Sequence, residues 1–358
     1  MKIITVIGAR PQFIKAAVVS KAIRQTAMQG IDIQEAILHT GQHYDYNMSE
    51  LFFSQLDIPV PQWHLECGND IAKMKAAILP VLKAERPDLV LVYGDTNSTL
   101  AGAETANELS IPVAHVEAGL RSYNDSMPEE HNRIATDHVS TWLFCPTRMA
   151  VENLRRENIT KGVYRVGDVM YDAALMFTPD EATQQEILQH YQLPSKQFAL
   201  ATIHRASTAD DPEALLHIIR ALAQAGMPVL WPLHPHTRKT VDSTPSLQQA
   251  LREAASIHII EPVGYIRMLA LEQQAKLIIT DSGGIQKEAY FQRTPCITLR
   301  EETEWTETVQ AGWNRLAGTE TERIIQALSM PFQPKEIDEY GDGHSAAQII
   351  RILCPSAS

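Results

Sequence analysis

Short apolar runs alternate with helical patterns along almost the whole chain. The runs are rich in Ile, Val and Leu, which is typical of strands buried on both faces of a parallel sheet. Helical patterns separate most of them, so the alternation predicts a doubly wound α/β fold. The predicted strands are Ile3–Ile7, Glu35–His39, Leu89–Tyr93, Val113–Val116, Trp142–Cys145 and Val163–Val166, followed by Phe198–Ile203, Val229–Leu233, Ile257–Ile260, Leu277–Thr280 and Cys296–Leu299.

The strands fall into two series, which the segment Asp168–Lys196 connects. This segment contains short helical pieces and a polar stretch, and a chain of 358 residues is long enough for two domains with separate cores. We predict domains at residues 1–168 and 169–339. A last amphipathic piece, Ser345–Leu353, is isolated from any strand, so we expect residues 340–358 to pack back on the first domain.

Composition narrows the class of protein. Hydrophobic residues make up 44% of the chain and charged residues 21%, as in an ordinary globular enzyme. A net charge of −12 argues against nucleic acid or an anionic membrane surface as the main partner. The four cysteines lack the spacing of a zinc site or a disulfide framework, and no signal peptide or membrane-spanning run is evident. A cytoplasmic protein is therefore expected.

The segment after the strand Leu277–Thr280 has the features of an anion site. It reads Asp-Ser-Gly-Gly and leads into a helical pattern. Gly283 and Gly284 let backbone N–H groups approach a ligand, and a helix N-terminus favours a phosphate. Glu288, one turn later, could accept hydrogen bonds from sugar hydroxyls. The structural alternative is a tight strand-to-helix turn that Ser282 caps.

Polar residues follow several other predicted strands. Ligands of open parallel sheets bind outside the carboxyl ends of the strands, so these residues are candidates for one shared site. Each also has a structural interpretation, since Asp95 suits a helix cap, Glu129 suits a helix dipole, and His234 could be an ordinary rim residue. The segments concerned are Gly8–Lys15, Gly94–Ser98, Glu117–Arg121, His204–Arg205 and His234–His236.

Taken together, these motifs resemble the non-hydrolysing UDP-N-acetylglucosamine 2-epimerase family, in order and from residue 1 to about 318. The resemblance implies two Rossmann-like domains facing across a cleft, as in many nucleotide-sugar glycosyltransferases. It also implies inversion at C2 of a UDP-linked 2-acetamido sugar, by elimination of UDP to a 2-acetamido glycal and re-addition. The motifs that carry it are Ile7–Lys15, Thr40–His43, Gly94–Thr96, His115–Arg121, Pro128–Glu130, Asn132–Arg133, His204–Arg205, Asp281–Gln286 and Glu288.

The resemblance also implies roles for individual residues. The residues that match the catalytic groups are Asp95, Glu117, Glu129 and His204, and those that match UDP-sugar ligands are Arg10, Lys15, Arg133, Ser282, Gly283, Gly284 and Glu288. Arg10, Lys15 and the amides of 282–284 would stabilise the departing diphosphate. The chain has no metal-ligand cluster and no G-x-G-x-x-G fingerprint, so no cofactor is expected. The family implies a homodimer.

Two other classes stay open, a UDP-sugar glycosyltransferase of the same fold and a non-catalytic nucleotide-sugar sensor. A hydrolysing relative, which would release free ManNAc, is disfavoured by the N-terminal motif. The acidic residues Asp95, Glu117 and Glu129 favour the epimerase over the sensor, and turnover without an acceptor would exclude the transferase.

The resemblance also has implications for regulation and for substrate choice. Gln42 and His43 match part of a second, activating substrate site in the family. The Arg expected on the next helix is not evident, which predicts weak or absent substrate activation.

Gln12 and Trp305 replace the Glu and Arg of the common UDP-GlcNAc enzymes, a pattern also found in epimerases of UDP-2,3-diacetamido-2,3-dideoxyglucuronate. A Glu-to-Gln change near C6 would ease binding of a uronic acid. We expect UDP-GlcNAc to be the substrate, with the diacetamido uronate as the alternative.

Overall fold

The chain folds into two compact α/β units, each built around one parallel sheet. A computed structural model describes residues 1–42, 53 and 55–355. Met1–Met176 and Asp338–Ser358 form the first unit, and Phe177–Ile337 forms the second. The boundary falls at the end of the helix Val169–Phe177, whereas the sequence placed it directly before this helix.

The first unit contains a sheet with the strand order β3-β2-β1-β4-β5-β6-β7. All of its strand pairs are parallel, and the order reverses between β1 and β4, where ligands of doubly wound folds bind. The strands are β1 (Lys2–Ile7), β2 (Gln34–His39), β3 (Trp63–His64), β4 (Leu89–Tyr93), β5 (Val113–Val116), β6 (Trp142–Cys145) and β7 (Val163–Arg165).

Helices cover the faces of this sheet. They are α1 (Arg10–Met28), α2 (Ile71–Glu85), α3 (Asn97–Glu108), α4 (Pro128–Val139), α5 (Arg148–Arg156) and α6 (Val169–Phe177). The C-terminal helix (Ser345–Leu353) also belongs to the first unit and packs against α1. Its first turn is fixed by Asp172 of α6, whose carboxylate accepts hydrogen bonds from the backbone N–H groups of Ser345 (3.1 Å) and Ala346 (2.8 Å).

The second unit repeats the arrangement with the strand order β10-β9-β8-β11-β12-β13, again with parallel pairs. The strands are β8 (Ala199–Thr202), β9 (Val229–Pro232), β10 (Ile257–Ile260), β11 (Leu277–Thr280), β12 (Cys296–Thr298) and β13 (Asn314–Leu316). The helices are α7 (Glu181–Tyr191), α8 (Ala206–Ala209), α9 (Pro212–Leu222), α10 (Pro235–Ser243), α11 (Pro245–Glu253), α12 (Tyr265–Gln274), α13 (Gly283–Phe291), α14 (Thr306–Gln310) and α15 (Thr321–Ser329). Here the order reverses between β8 and β11, so the predicted anion loop lies at the switch point.

Candidate active site

The loop between β1 and α1 is held in place by the side chain of Gln12. Its Oε1 accepts hydrogen bonds from the backbone N–H groups of Gly8 (2.8 Å) and Ala9 (3.0 Å). Its Nε2 donates to the carbonyl oxygen of Tyr93 (3.1 Å) and to Thr99 Oγ1 (3.0 Å). Gln12 is buried, with 1% of its surface exposed, and it joins the loop to β4 and α3. Its expected influence near C6 of the sugar stays a prediction.

We expect Gln12→Ala to lower the free energy of unfolding by about 2–3 kcal/mol, because it leaves buried backbone donors without an acceptor. Gln25→Ala is the matched control, since Gln25 is exposed on the same helix, and it should change this free energy by less than about 0.5 kcal/mol. Urea unfolding followed by circular dichroism measures both. Equal stability of the two variants would contradict a structural role for Gln12.

Lys15 and Glu117 form a buried ion pair at the carboxyl end of the first sheet. Glu117 directly follows β5 and has a left-handed backbone with φ 73°, which is uncommon for a residue other than glycine. Gly94, directly after β4, packs against the pair. A Cβ at Gly94 would lie 3.2 Å from Lys15 Nζ and 3.3 Å from Glu117 Oε2. The structure thus brings the predicted acid–base residue Glu117 together with the predicted phosphate ligand Lys15.

Asp95 forms an ion pair with Arg133 of α4. Arg133 also donates from Nη1 to Glu130 Oε2 at 2.8 Å. Glu130 in turn accepts hydrogen bonds from the backbone N–H groups of Ser122 (3.0 Å) and Tyr123 (3.0 Å). Burial opposes ionisation of Glu130, but these hydrogen bonds and the Arg133 charge lower its pKa below the ordinary value. Glu130 therefore anchors the loop before α4, while Asp95 stays one-third exposed.

Two further predicted site residues, Arg10 and Glu129, lie in the first turns of helices. Arg10 begins α1 and is half-buried. Glu129 is exposed in the first turn of α4, where the helix dipole favours a carboxylate. Its position is compatible with the structural interpretation and with the catalytic one.

Gln42 links the start of α3 to the loop that precedes α2. Its Oε1 accepts hydrogen bonds from the backbone N–H (3.0 Å) and Oγ (2.6 Å) of Ser98, and its Nε2 donates to Asn69 Oδ1 at 3.0 Å. Its predicted regulatory partner, His43, lies outside the described residues. The regulatory role of both residues stays a prediction.

A buried polar network lies beneath these carboxylates, and sequence reasoning missed it. His115 Nδ1 lies 2.7 Å from Asp137 Oδ1, and His115 Nε2 lies 2.7 Å from the carbonyl oxygen of Gly94. The other carboxylate oxygen of Asp137 accepts hydrogen bonds from Arg121 Nη1 (2.8 Å) and from the backbone N–H of Gly119 (3.1 Å). Nothing in the sequence pairs a histidine on β5 with an aspartate on α4.

In the second unit, Asp281 fixes the turn that carries His204. The buried Asp281 carboxylate accepts hydrogen bonds from the backbone N–H groups of His204 (3.0 Å) and Arg205 (3.0 Å). Burial raises the pKa of Asp281, although these hydrogen bonds and the charges of the two residues act in the opposite direction. The rings of His204 and His234 lie 5.5 Å apart between centroids, so two histidines from neighbouring strand ends meet here.

The predicted anion loop forms the N-terminus of α13. Ser282 is the N-cap residue, but its side chain makes no capping hydrogen bond, so it does not fill the structural role considered above. Its backbone N–H donates to Thr280 Oγ1 at 2.9 Å. A side chain at Gly283 would overlap the carboxylate of Glu304, which Arg300 binds at 3.0 Å. Glycine at this position therefore leaves room for the Glu304 carboxylate close to the N-terminus of α13.

Glu288 is buried in α13, beside the fully buried carboxyl group of Glu272 on α12. Burial and the negative charge of Glu288 raise the pKa of Glu272 well above its ordinary value. Trp305 is also buried, and Lys287 Nζ lies 3.9 Å from the centroid of its ring. Trp305 is thus packed beneath α13, close to Gly283.

Two negative findings concern the described part of the chain. No helix among residues 1–42, 53 and 55–355 is long and apolar enough to cross a bilayer. The same residues contain no group of three or more His, Cys, Asp or Glu side chains arranged to hold a metal ion.

The protein contains two parallel sheets that helices cover, and polar residues lie at the ends of their strands. This arrangement is typical of enzymes with two Rossmann-like domains. The family model for UDP-N-acetylglucosamine 2-epimerase matches residues 26–354. A UDP-N-acetylglucosamine 2-epimerase homolog of Methanococcus maripaludis is 46% identical, over 99% of both chains. The UDP-2,3-diacetamido-2,3-dideoxy-D-glucuronate 2-epimerase of Pseudomonas aeruginosa is 45% identical, again over 99% of both.

Among solved structures, the UDP-GlcNAc 2-epimerase of Methanocaldococcus jannaschii in complex with UDP-GlcNAc and UDP superposes with a TM-score of 0.86. It is 39% identical, and the match covers 99% of both chains. The chain belongs to the UDP-N-acetylglucosamine 2-epimerase family, and it is accordingly an isomerase. The predicted family, two-domain α/β fold and enzyme class are confirmed.

Proposed function

We propose that this enzyme inverts C2 of a UDP-linked 2-acetamido sugar by eliminating UDP and adding it back. A base removes the C2 proton while the C1–O bond to UDP breaks, which leaves a 2-acetamido glycal. A proton then returns to C2 on the other face, and the UDP oxygen bonds to C1 again. The observation that carries this proposal is the pair of carboxylates, Asp95 and Glu117, at the ends of the neighbouring strands β4 and β5.

A cation fixes the position of each of these carboxylates. Glu117 is held by Lys15, and Asp95 is held by Arg133. Inversion requires an acid–base group on each face of the sugar, and fixed carboxylates can serve in this way. Their fixed positions support these acid–base roles. Neither carboxylate is assigned to a particular face of the sugar, and no role is assigned to the exposed Glu129.

Binding and departure of UDP are proposed for residues of the second unit. By family resemblance, Arg10 and Lys15 are also proposed as ligands of the UDP-sugar. The start of α13 supplies backbone donors and the positive end of a helix dipole, which suit a diphosphate that gathers charge as it leaves. His204 lies at the end of β8, next to the strand that precedes α13. We assign it to the leaving group, and Glu288 to the ribose.

UDP-GlcNAc is proposed as the substrate, and the UDP-linked diacetamido uronate is the alternative. Relatives named for these sugars include one at 39% identity and one at 45% identity, which does not separate the two possibilities. Gln12 and Trp305 were expected to discriminate between them. Both are buried, so any influence on the sugar has to pass through the residues that pack on them.

Turnover in deuterated water tests the reaction, with both sugars assayed side by side and no acceptor added. We expect deuterium at C2 of both epimers, because the C2 proton passes through a base that exchanges with solvent. EDTA or added NAD should leave the rate unchanged. Product that carries no label at C2 would contradict the elimination mechanism, and a preference above a hundredfold for the uronate would make it the substrate. UDP release that depends on an acceptor would indicate a glycosyltransferase.

The family resemblance further supports a homodimer, and the free cysteines are compatible with a cytoplasmic location. Light scattering and cell fractionation measure these two properties.

A further inference from the structure

His115 lies between two hydrogen-bond acceptors in the interior of the first unit. Its two ring nitrogens are each 2.7 Å from an oxygen, one of the Asp137 carboxylate and one of the Gly94 carbonyl. A neutral imidazole has a single N–H, so one of these contacts would then set a lone pair against an oxygen. The other solution, a protonated Asp137, is disfavoured. The other oxygen of Asp137 accepts hydrogen bonds from Arg121 Nη1 (2.8 Å) and from the backbone N–H of Gly119 (3.1 Å), and these donors favour the ionised carboxylate.

The charges around His115 balance when its ring carries two protons. Arg121 binds Asp137 on one side and the carboxylate of Glu157 on the other, at 2.6 and 2.8 Å. The network then contains two cations, Arg121 and His115, and two carboxylates; Asp137 is buried, whereas Glu157 is partly exposed and also lies 3.6 Å from His138 Nε2. The neighbouring Cys145 of β6 adds no charge, because burial raises the pKa of its thiol far above the ordinary range.

One end of this network is connected directly to the reacting groups. The carbonyl that His115 binds belongs to Gly94, which precedes Asp95 and packs against the ion pair of Lys15 and Glu117. Glu117 itself follows His115 by two residues and has a strained backbone, which persists only where its surroundings fix it.

We propose that His115 is a positioning residue whose doubly protonated ring fixes the Gly94 carbonyl, and thereby holds Asp95 and Glu117 in place for proton transfer at C2. Asp137 supports it by binding the other ring nitrogen and the N–H of Gly119. This inference rests on the proposed epimerase function.

Two substitutions separate the two hydrogen bonds of the ring. The amide nitrogen of His115→Asn matches the position of Nδ1 and can still donate to Asp137, but it loses Gly94. The amide nitrogen of His115→Gln matches Nε2 and can still donate to Gly94, but it loses Asp137. Each variant gives up one buried hydrogen bond, so we expect similar losses of thermal stability.

Their rates should differ. We expect kcat to fall about tenfold in His115→Asn and only about twofold in His115→Gln, with UDP affinity unchanged in both, because a small displacement of reacting groups affects the rate more than binding. Equal losses of kcat, or losses that follow the melting temperature alone, would overturn the positioning role.

Nitrogen-15 NMR of histidine-labelled protein provides a readout that does not need activity. We expect the His115 ring to show two protonated nitrogens at neutral pH, in signals that disappear in His115→Gln. A ring with one bare nitrogen would overturn the inference even in an active enzyme. Absence of C2 exchange with both sugars in the unsubstituted enzyme would instead refute the proposed function, and the positioning role with it.

Discussion

We expect Glu117→Gln and Asp95→Asn each to lower kcat by about a hundredfold or more, the usual scale for the loss of a group that transfers a proton. Each amide keeps the shape of the side chain and removes its ability to accept a proton. UDP affinity should change less than kcat, although Lys15 and Arg133 lose their charged partners, because the start of α13 supplies the backbone donors proposed for the diphosphate. Steady-state rates, deuterium exchange at C2 and calorimetric titration with UDP measure these effects.

Glu129→Gln is the informative comparison for these two variants. Glu129 is an exposed carboxylate in a helical first turn, so nearly full activity of this variant would favour the helix-dipole interpretation there. A Glu117→Gln enzyme that keeps most of its rate while its melting temperature falls would mean that the pair with Lys15 is structural only.

Gly94→Ala should have the second largest effect on rate, a loss of about thirty- to a hundredfold in kcat. The new methyl group would lie 3.2 Å from Lys15 Nζ and 3.3 Å from Glu117 Oε2, closer than ordinary van der Waals contact. The ion pair must therefore shift by a few tenths of an ångström. The carbonyl that His115 binds belongs to the same residue, so the hydrogen bond that fixes it would be disturbed as well.

Gly226→Ala is the matched control for the backbone. Gly226 has φ 69° against 64° at Gly94, but no atom lies within 4 Å of its added Cβ. Both variants should lose about 1 kcal/mol of stability from the left-handed conformation, and only Gly94→Ala should lose rate. Similar activity of the two variants would show that the space around Gly94 is unimportant for catalysis.

The central strands could be predicted from the sequence because they are buried on both faces and read as continuous apolar runs. Each predicted strand agrees with the observed one to within one residue at either end. The two strands that were missed, β3 and β13, are edge strands of two and three residues. Runs as short as Trp63–His64 contain no period that could be recognised.

The residues at the strand ends were also recognisable, since glycine and charge after an apolar run indicate a loop near a ligand. The residues that hold them in place could not be recognised from the sequence. His115 and Asp137 are 22 positions apart, and only the packing of α4 on the sheet brings them together. The burial of Gln12 and Trp305 could not be predicted either, because a difference from a family motif does not reveal whether the side chain faces the substrate or the interior.

The return of the C-terminal helix to α1 has a consequence for synthesis of the protein on the ribosome. Asp172 and the surface of α1 contact a helix, Ser345–Leu353, that is translated after the whole second unit. The second unit is contiguous and can fold as soon as it emerges, whereas the first unit, although its larger part is made earlier, is completed only when Ser345–Leu353 has emerged. In this enzyme the usual vectorial order, in which the N-terminal domain folds first, is therefore inverted for the final packing step.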